Sequence, residues 1–316
     1  MAVILTTPRS FSSCKKAQEM LQQAGHEVRI QSPVKPFTEM ELCGMIKGVD
    51  ALIAGLDEIT SAVIQAGAPT LKVIARNGVG YNNVNIAAAR DYGVTVTITP
   101  GTNSIAVCEL AFALMMGLSR KVHLMDANIR NGQWTRVAGS ELFGKTLGVL
   151  GTGAIGSELI KRCFAFGMKI LAYDLVPKAE LVTNFNVQYV GLERIYQEAD
   201  YISLHLPASA QTKGMINAEV LASMKQGAYL INTARGDLID ETALLAALQS
   251  GHIGGAGLDA FVHEPFTDER FWGLSNVLLT PHSGSYTAEA VERTLVTASQ
   301  EVLRVLNQQK PLYAIG

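Results

Sequence analysis

The sequence predicts an α/β protein made of two doubly wound parallel-sheet domains. Short apolar runs alternate with helical patterns along nearly all of its 316 residues, and this alternation is typical of parallel sheets covered by helices. The length permits two sizeable cores, because a single core stops growing at roughly 250–300 residues.

The first domain is predicted to be discontinuous. Apolar strands are expected at 3–5, 51–54, 73–75 and 94–98, with helices between them, and a Pro, Gly and Ser-containing break follows at 99–104. A terminal helix at 288–307 is expected to return to this domain. We therefore assign residues 1–99 plus 286–316 to a small, flavodoxin-like substrate domain.

The second domain is predicted to cover residues 100–285. It begins with a long apolar helical stretch from 105 to about 130, and its strands are expected at 147–150, 169–173, 201–204, 228–232, 254–258 and 277–279.

A glycine motif follows the first of these strands and indicates a dinucleotide site. The spacing is Gly151-x-Gly153-x-x-Gly156, and Asp174 ends the next strand, at about the 20-residue spacing of the acid that binds ribose hydroxyls. Gly151 suits the tight turn, Gly153 the close approach of the backbone to a pyrophosphate, and Gly156 helix packing. The 2'-phosphate of NADP would be repelled by the Asp174 carboxylate. The motif therefore predicts a Rossmann domain that binds NAD rather than NADP.

Composition disfavours several other functions. The chain has 26 Lys and Arg against 28 Asp and Glu, with no basic block, so a nucleic acid partner is not expected. The four cysteines are far apart and indicate a reducing, cytoplasmic setting. With no apolar run of membrane-spanning length, neither a leader nor a membrane association is expected. No metal-ligand motif occurs, so no metal is expected.

The ends of the predicted strands carry the side chains that 2-hydroxy acid oxidation requires. Ligands of open parallel sheets lie beyond the carboxyl ends of the strands, and two such sheets would form a cleft between the domains. Arg235 could bind a carboxylate and the adjacent carbonyl. His282 could move the proton, and Glu264 could bind the far nitrogen of its ring and stabilise the imidazolium. The turn formed by Asn77, Gly78, Val79 and Gly80 offers N–H groups to a substrate carboxylate.

Each of these residues taken alone also has a purely structural explanation. A histidine before a small-residue turn is more often structural than catalytic, and Arg235 could cap a helix at the surface. Glycines in a turn are usually only turn residues. His205, at a strand end of the second domain, is a possible cofactor contact.

The combination of motifs resembles the D-isomer-specific 2-hydroxyacid dehydrogenases, and within them the phosphoglycerate dehydrogenase branch. The similarity covers almost the whole chain, including 75–84, 103–109, 147–174, 232–237, 258–265 and 281–285. It implies that Arg235, Glu264 and His282 are catalytic, with His282 as the acid and base. It also implies a homodimer interface at 103–145. The implied cofactor contacts are Ala154, Ile155, Asp174, Thr233, Ala234 and Asp259, with His205, Leu206 and Pro207 beside the adenosine.

Departures from the family pattern bear on the substrate. Relatives dedicated to 3-phosphoglycerate often have an arginine and a serine or threonine where this chain has Gly55 and Leu56, and Asp57 is expected to repel a phosphate. Arg76 could replace the positive charge of the missing arginine. Many relatives have aspartate in place of Asn83, and arginine or lysine in place of Ala154. The regulatory domain that some members append is not expected.

The sequence therefore predicts an NAD-dependent oxidoreductase that interconverts a small D-2-hydroxy acid and its 2-oxo acid. Reduction of glyoxylate or hydroxypyruvate is the alternative, favoured by the missing arginine near Gly55. A formate dehydrogenase is disfavoured, since such enzymes place glutamine at the position of Glu264. An NAD-sensing regulator on the same scaffold remains a third hypothesis.

Overall fold

The computed structural model describes residues 1–315, which cluster into two compact units. Unit 1 contains Met1–Asn103 and the described residues from Tyr286 onwards, and unit 2 contains Ser104–Ser285.

Unit 1 is a six-stranded sheet in the order β13-β5-β4-β3-β1-β2. Its strands β1 to β5 are mutually parallel, and β13 pairs antiparallel with β5. The order of the parallel strands is the flavodoxin-like 2-1-3-4-5. The elements are β1 (Val3–Thr6), α1 (Lys15–Gln23), β2 (Glu27–Ile30), α2 (Glu39–Met45), β3 (Ala51–Ala54), α3 (Ser61–Gly67), β4 (Val73–Arg76), α4 (Ile86–Asp91), β5 (Thr95–Thr97), and, after unit 2, α12 (Ala288–Leu306) and β13 (Ala314–Ile315).

Unit 2 is a seven-stranded parallel sheet in the order β12-β11-β10-β9-β6-β7-β8. This is the Rossmann order extended by one strand. The elements are α5 (Ser104–Arg120), α6 (Val122–Arg130), β6 (Thr146–Leu150), α7 (Ala154–Ala165), β7 (Lys169–Tyr173), α8 (Ala179–Phe185), β8 (Gln188–Tyr189), α9 (Leu192–Glu198), β9 (Tyr201–Leu204), α10 (Ala218–Ser223), β10 (Ala228–Asn232), α11 (Glu241–Gln249), β11 (Ile253–Leu258) and β12 (Val277–Leu279).

Each sheet has an apolar core on both faces, which explains why the central strands are mostly apolar. In unit 1 one face packs against α2, α3 and α4, and the other against α1 and α12. In unit 2 one face packs against α5 and α7, and the other against α9, α10 and α11. The predicted fold class, two doubly wound parallel sheets, is confirmed.

One predicted helix is divided in the structure. The sequence predicts a single helix from 105 to about 130, but α5 ends at Arg120 and α6 starts at Val122, because Lys121 has a left-handed φ of 54°. Within residues 1–315, no helix has both the length and the apolar character that crossing a bilayer requires.

Candidate active site

The turn that carries His282 is held by a buried carboxylate at the neighbouring strand end. Asp259 follows β11 and is 1% exposed. Its Oδ1 accepts hydrogen bonds from Thr280 Oγ1 at 2.6 Å and Ser283 N at 2.8 Å, and its Oδ2 accepts one from Gly284 N at 2.8 Å. His282 itself has a left-handed φ of 49°. Such strain in a non-glycine residue persists only where its surroundings impose it, and it is concentrated at functional sites.

Glu264 pairs with the His282 ring. His282 Nδ1 lies 2.9 Å from Glu264 Oε1 and 2.8 Å from Oε2, and the two side chains are 44% and 38% exposed. Burial would raise the pKa of Glu264, but the hydrogen bonds from His282 and Phe261 N, together with the charge of Arg235, lower it. The carboxylate therefore stays ionised, and an Nδ1 bonded to it leaves Nε2 as the ring nitrogen available to a substrate.

Arg235 is brought beside this pair by a close approach of two loops. It follows β10, where Asn232 Oδ1 accepts a hydrogen bond from Ala234 N at 3.0 Å and Asn232 Nδ2 donates to Arg235 O at 2.8 Å. At the next residue, Gly236, an added Cβ would lie 1.9 Å from the carbonyl carbon of Phe261. Only glycine permits this contact between the Arg235 turn and the loop that leads to Glu264.

The glycine turn has the shape that a dinucleotide requires. Gly151 has φ +95°, and a Cβ there would meet His205 O at 2.6 Å. A Cβ on Gly156 would lie 2.0 Å from Gly151 O, so α7 packs directly on the turn. Around Gly153 a Cβ would meet nothing within 4 Å, which leaves open space at the exposed start of α7, beside Ala154 and Ile155.

Asp174 is fixed at the end of β7 by the glycine turn. Its Oδ2 accepts hydrogen bonds from Thr152 N at 2.6 Å and Thr152 Oγ1 at 3.0 Å, and its Oδ1 accepts one from Val176 N at 3.0 Å. Burial would raise the pKa of Asp174, but these bonds and the nearby Lys178 lower it. An ionised acid therefore stands beside the turn, which suits ribose hydroxyls and disfavours a 2'-phosphate.

The other predicted cofactor residues lie at the ends of β9 and β10. His205 Nε2 lies 2.9 Å from Ser203 Oγ, while its buried Nδ1 has no hydrogen-bond partner. Burial lowers the pKa of His205 to about 4. Leu206 lies against the glycine turn, and Pro207 is exposed. Thr233 has a buried, unpartnered Oγ1, and Ala234 is half-buried. The open helix start, the ionised Asp174 and these unpartnered polar atoms fit a bound NAD.

The predicted substrate turn lies in unit 1, after β4. Gly78 has φ +149°, and Val79 is 41% exposed. Asn77 has a buried Oδ1 without a hydrogen-bond partner. Gly80 is exposed.

Two expectations for charged groups of unit 1 are wrong. Asp57 is 1% exposed, and its carboxylate accepts hydrogen bonds from Thr7 Oγ1 and Phe37 N, so it does not face a substrate phosphate. Arg76 is 8% exposed and donates to Asn77 O at 2.8 Å, to Ala54 O at 3.5 Å and to Asn83 Oδ1 at 3.2 Å. Its guanidinium is committed to the protein, so it does not replace the arginine missing near Gly55.

Sequence reasoning missed several residues that support the site. Thr152 and Thr280 act through tertiary hydrogen bonds and have no spacing motif of their own. Asn232 acts through local hydrogen bonds with Ala234 and Arg235, and Gly236 acts through backbone packing. The last two lie in a strand-end loop that the sequence singles out, and they carry a local signal, because asparagine bonds the backbone of its own turn and glycine permits a close approach. Among residues 1–315, no three His, Cys, Asp or Glu side chains form a group that could hold a metal ion.

Comparison with known proteins gives consistent matches. Residues 112–284 match the model of the D-isomer specific 2-hydroxyacid dehydrogenase NAD binding domain. The chain is 42% identical over 272 residues to a hydroxypyruvate reductase of Thermotoga maritima, covering 84% of this chain and 88% of that one. It is 39% identical over 308 residues to a D-3-phosphoglycerate dehydrogenase of Synechocystis, covering 94% of this chain but only 55% of that longer protein. The apo structure of D-lactate dehydrogenase from Escherichia coli superposes with a TM-score of 0.89 at 30% identity, covering 99% of this chain and 100% of that one.

Proposed function

The chain belongs to the D-isomer-specific 2-hydroxyacid dehydrogenases, a family of NAD-binding oxidoreductases, and from this premise we propose how its residues interconvert a small D-2-hydroxy acid and its 2-oxo acid. The observation that carries the proposal is the His282–Glu264 pair, with Nδ1 2.8 Å from a carboxylate oxygen and Arg235 beside it. The predicted family and NAD cofactor are confirmed. The roles of individual residues below are proposals.

The catalytic side chains divide the work of the reaction between them. Arg235 binds the substrate carboxylate and polarises the neighbouring carbonyl, because its planar fork can serve both oxygens. His282 donates a proton from Nε2 to the carbonyl oxygen during reduction and takes it back during oxidation. Glu264 holds the ring in the required tautomer and stabilises its protonated form. Bound NADH supplies the hydride.

The cofactor contacts follow from the geometry of the turn. Gly153, Ala154 and Ile155 would carry the pyrophosphate on the amide groups of α7, where the helix dipole favours negative charge. Asp174 would accept hydrogen bonds from the ribose hydroxyls, with His205, Leu206 and Pro207 beside the adenosine. Thr233, Ala234 and Asp259 would lie at the nicotinamide end. Asn77, Gly78, Val79 and Gly80 would offer amides to the substrate carboxylate.

Hydroxypyruvate or glyoxylate is the second candidate substrate. The relative with 42% identity is named a hydroxypyruvate reductase, and the engaged Arg76 does not supply a cation for a phosphate at the turn around Gly55.

The homodimer and the cytoplasmic setting are also part of the proposal. The segment 103–145 contains large exposed apolar side chains, among them Trp134 at 91% and Phe143 at 75%, which a second copy could cover. Sedimentation velocity would test this, since Trp134→Ser should weaken association. All four cysteines are free thiols, three of them buried, which fits a reducing compartment.

A substrate panel with wild type and His282→Asn tests the reaction. We expect NADH-dependent reduction of small 2-oxo acids, weaker activity with NADPH, and a loss of about 100-fold or more in kcat for His282→Asn with NADH binding retained. Tight NADH binding by the wild type without turnover of any 2-oxo acid would instead support the NAD-sensing regulator and refute the enzyme assignment.

A further inference from the structure

A chain of hydrogen bonds links β8, at the edge of the sheet of unit 2, to the glycine turn. Lys178 N donates to Tyr189 Oη at 3.0 Å, and Tyr189 Oη donates to Thr152 Oγ1 at 3.0 Å. Thr152 Oγ1 in turn donates to Asp174 Oδ2 at 3.0 Å. Because Thr152 is fully buried, the edge strand reaches the acid that follows β7 through a side chain shielded from solvent.

The direction of this chain is fixed by the groups at its two ends. The backbone N–H of Lys178 can only donate, and the ionised carboxylate of Asp174 can only accept. The single hydroxyl hydrogen of Thr152 is used on Asp174, so the hydrogen between Thr152 and Tyr189 is that of the tyrosine. Both hydroxyls therefore donate towards Asp174, and hydrogen bonds aligned in this way strengthen one another.

The backbone of Thr152 is held together with its hydroxyl. Its N donates to Asp174 Oδ2 at 2.6 Å, and its O accepts from Ser157 Oγ at 2.8 Å. Ser157 is buried in the first turn of α7 and accepts a hydrogen bond from Lys178 Nζ at 3.0 Å. Because every polar group of Thr152 is bonded, the residue between Gly151 and Gly153 cannot shift without breaking several of these bonds.

The network uses one oxygen of Asp174 and leaves the other with spare capacity. Oδ2 accepts both bonds from Thr152, whereas Oδ1 accepts one, from Val176 N. A carboxylate oxygen has about two acceptor sites, so Oδ1 can accept a further hydrogen bond. A ribose hydroxyl can donate that bond. A 2'-phosphate cannot, because at neutral pH it presents acceptor oxygens and a negative charge.

Building on the proposed cofactor contacts, we propose that Tyr189 and Thr152 are positioning residues for coenzyme selectivity. Their hydroxyls hold Oδ2 of Asp174 against the glycine turn, so that Oδ1 is presented to a ribose hydroxyl and a 2'-phosphate meets a fixed negative charge. The discrimination between NADH and NADPH then depends on the edge strand β8 as well as on Asp174. Lys178, whose Nζ is bound to Ser157, is the nearby cation that a 2'-phosphate could use if this network did not decide selectivity.

Equilibrium titration with NADH and with NADPH, followed by coenzyme fluorescence, tests this role without catalysis. Wild type should bind NADH more tightly than NADPH. Tyr189→Phe should raise the Kd for NADH about fivefold, the effect of one hydrogen bond, and the Kd for NADPH less than about twofold, because the 2'-phosphate does not use Oδ1. Thr152→Val removes the hydroxyl that bonds Asp174 directly, so it should reduce the selectivity further. Thr152→Ser retains a hydroxyl and should keep more of the selectivity than Thr152→Val.

Tyr196→Phe is the matched control, because Tyr196 is a buried tyrosine on α9 of the same unit that takes no part in the chain. It should leave both Kd values within about twofold of wild type. If Tyr189→Phe leaves both Kd values unchanged or raises them equally, its hydroxyl has no role in selectivity. The proposal also fails if wild type binds NADPH as tightly as NADH and Lys178→Met weakens NADPH alone. A wild type that binds neither coenzyme would instead refute the proposed cofactor contacts, on which this inference depends.

Discussion

Replacing Asp259 with asparagine should loosen the turn that carries His282. The carboxylate accepts three hydrogen bonds of 2.6–2.8 Å from Thr280, Ser283 and Gly284 in a position that is 1% exposed. In Asp259→Asn the amide oxygen can still accept the first two. The amide nitrogen, however, would face the N–H of Gly284, donor against donor.

The expected loss in the free energy of unfolding is about 3 kcal/mol. The bond to Gly284 is lost and a buried donor is left unpaired, at about 2 kcal/mol, and the bonds from Thr280 and Ser283 each weaken by about 1 kcal/mol when the acceptor loses its charge. Part of this is offset because a neutral amide is easier to bury than a carboxylate. The left-handed backbone of His282, which costs about 1 kcal/mol, can then relax, and kcat should fall at least about tenfold.

Tryptophan fluorescence during denaturant unfolding measures this loss. The chain has two tryptophans, Trp134 and Trp272, and both lie in unit 2 with the turn, so the signal reports that unit. Thr280→Val should cost about 1–2 kcal/mol. Asp126→Asn, the same change at a side chain 56% exposed, should cost less than about 0.5 kcal/mol. If Asp259→Asn loses no more free energy of unfolding than Asp126→Asn and keeps the wild-type kcat, the Asp259 carboxylate does not hold the turn that carries His282.

Three further predictions follow from the site. Glu264→Gln should lower kcat for reduction by about tenfold or more, because the neutral amide no longer stabilises the charge of the His282 ring or fixes its orientation as the carboxylate does; an unchanged kcat would disprove the pairing. Burial lowers the pKa of His205 from 6.5 to about 4. As pH falls, the ring is therefore protonated in the unfolded chain before it is protonated in the folded one. The contribution of neutral His205 to the free energy of unfolding is complete above pH 6.5 and is lost as pH falls towards 4, by at most about 3 kcal/mol. The free energy of unfolding, measured by fluorescence at pH 7.5 and at pH 5, should differ less between the two pH values in His205→Gln than in wild type. Gly156→Ala should destabilise unit 2 by more than about 3 kcal/mol, because its Cβ would lie 2.0 Å from Gly151 O. Gly153→Ala should fold normally and lose NADH affinity in equilibrium titration, and equal stability of the two variants would contradict the packing argument.

The sequence predicts those strands best that are covered on both faces. β3 and β10 consist almost entirely of apolar residues, and their predicted bounds match the structure. Three strands are not predicted from the sequence: β2, which is half-exposed at a sheet edge, and β8 and β13, which have two residues each. Short or edge strands form because a neighbouring strand offers hydrogen bonds, and that information is tertiary.

The site shows the same division between local and tertiary information. Residues directly after parallel strands, such as Arg235, can be identified because the topology places strand ends together. The burial of Asp57 could not be predicted, since it depends on Thr7 and Phe37, which are distant in sequence. The contact of Gly236 with Phe261 likewise becomes visible only when the loops are folded.

The discontinuous make-up of unit 1 has a consequence for synthesis on the ribosome. The face of its sheet formed by Ile4, Ile53 and Ala75 packs against α12, which is translated only after all of unit 2. Unit 2 can therefore fold while this face of the nascent chain still lacks α12, one of the two helices that cover it. During that interval the exposed face is a site for chaperone binding or for aggregation, and slow translation between residues 286 and 306 would prolong that interval.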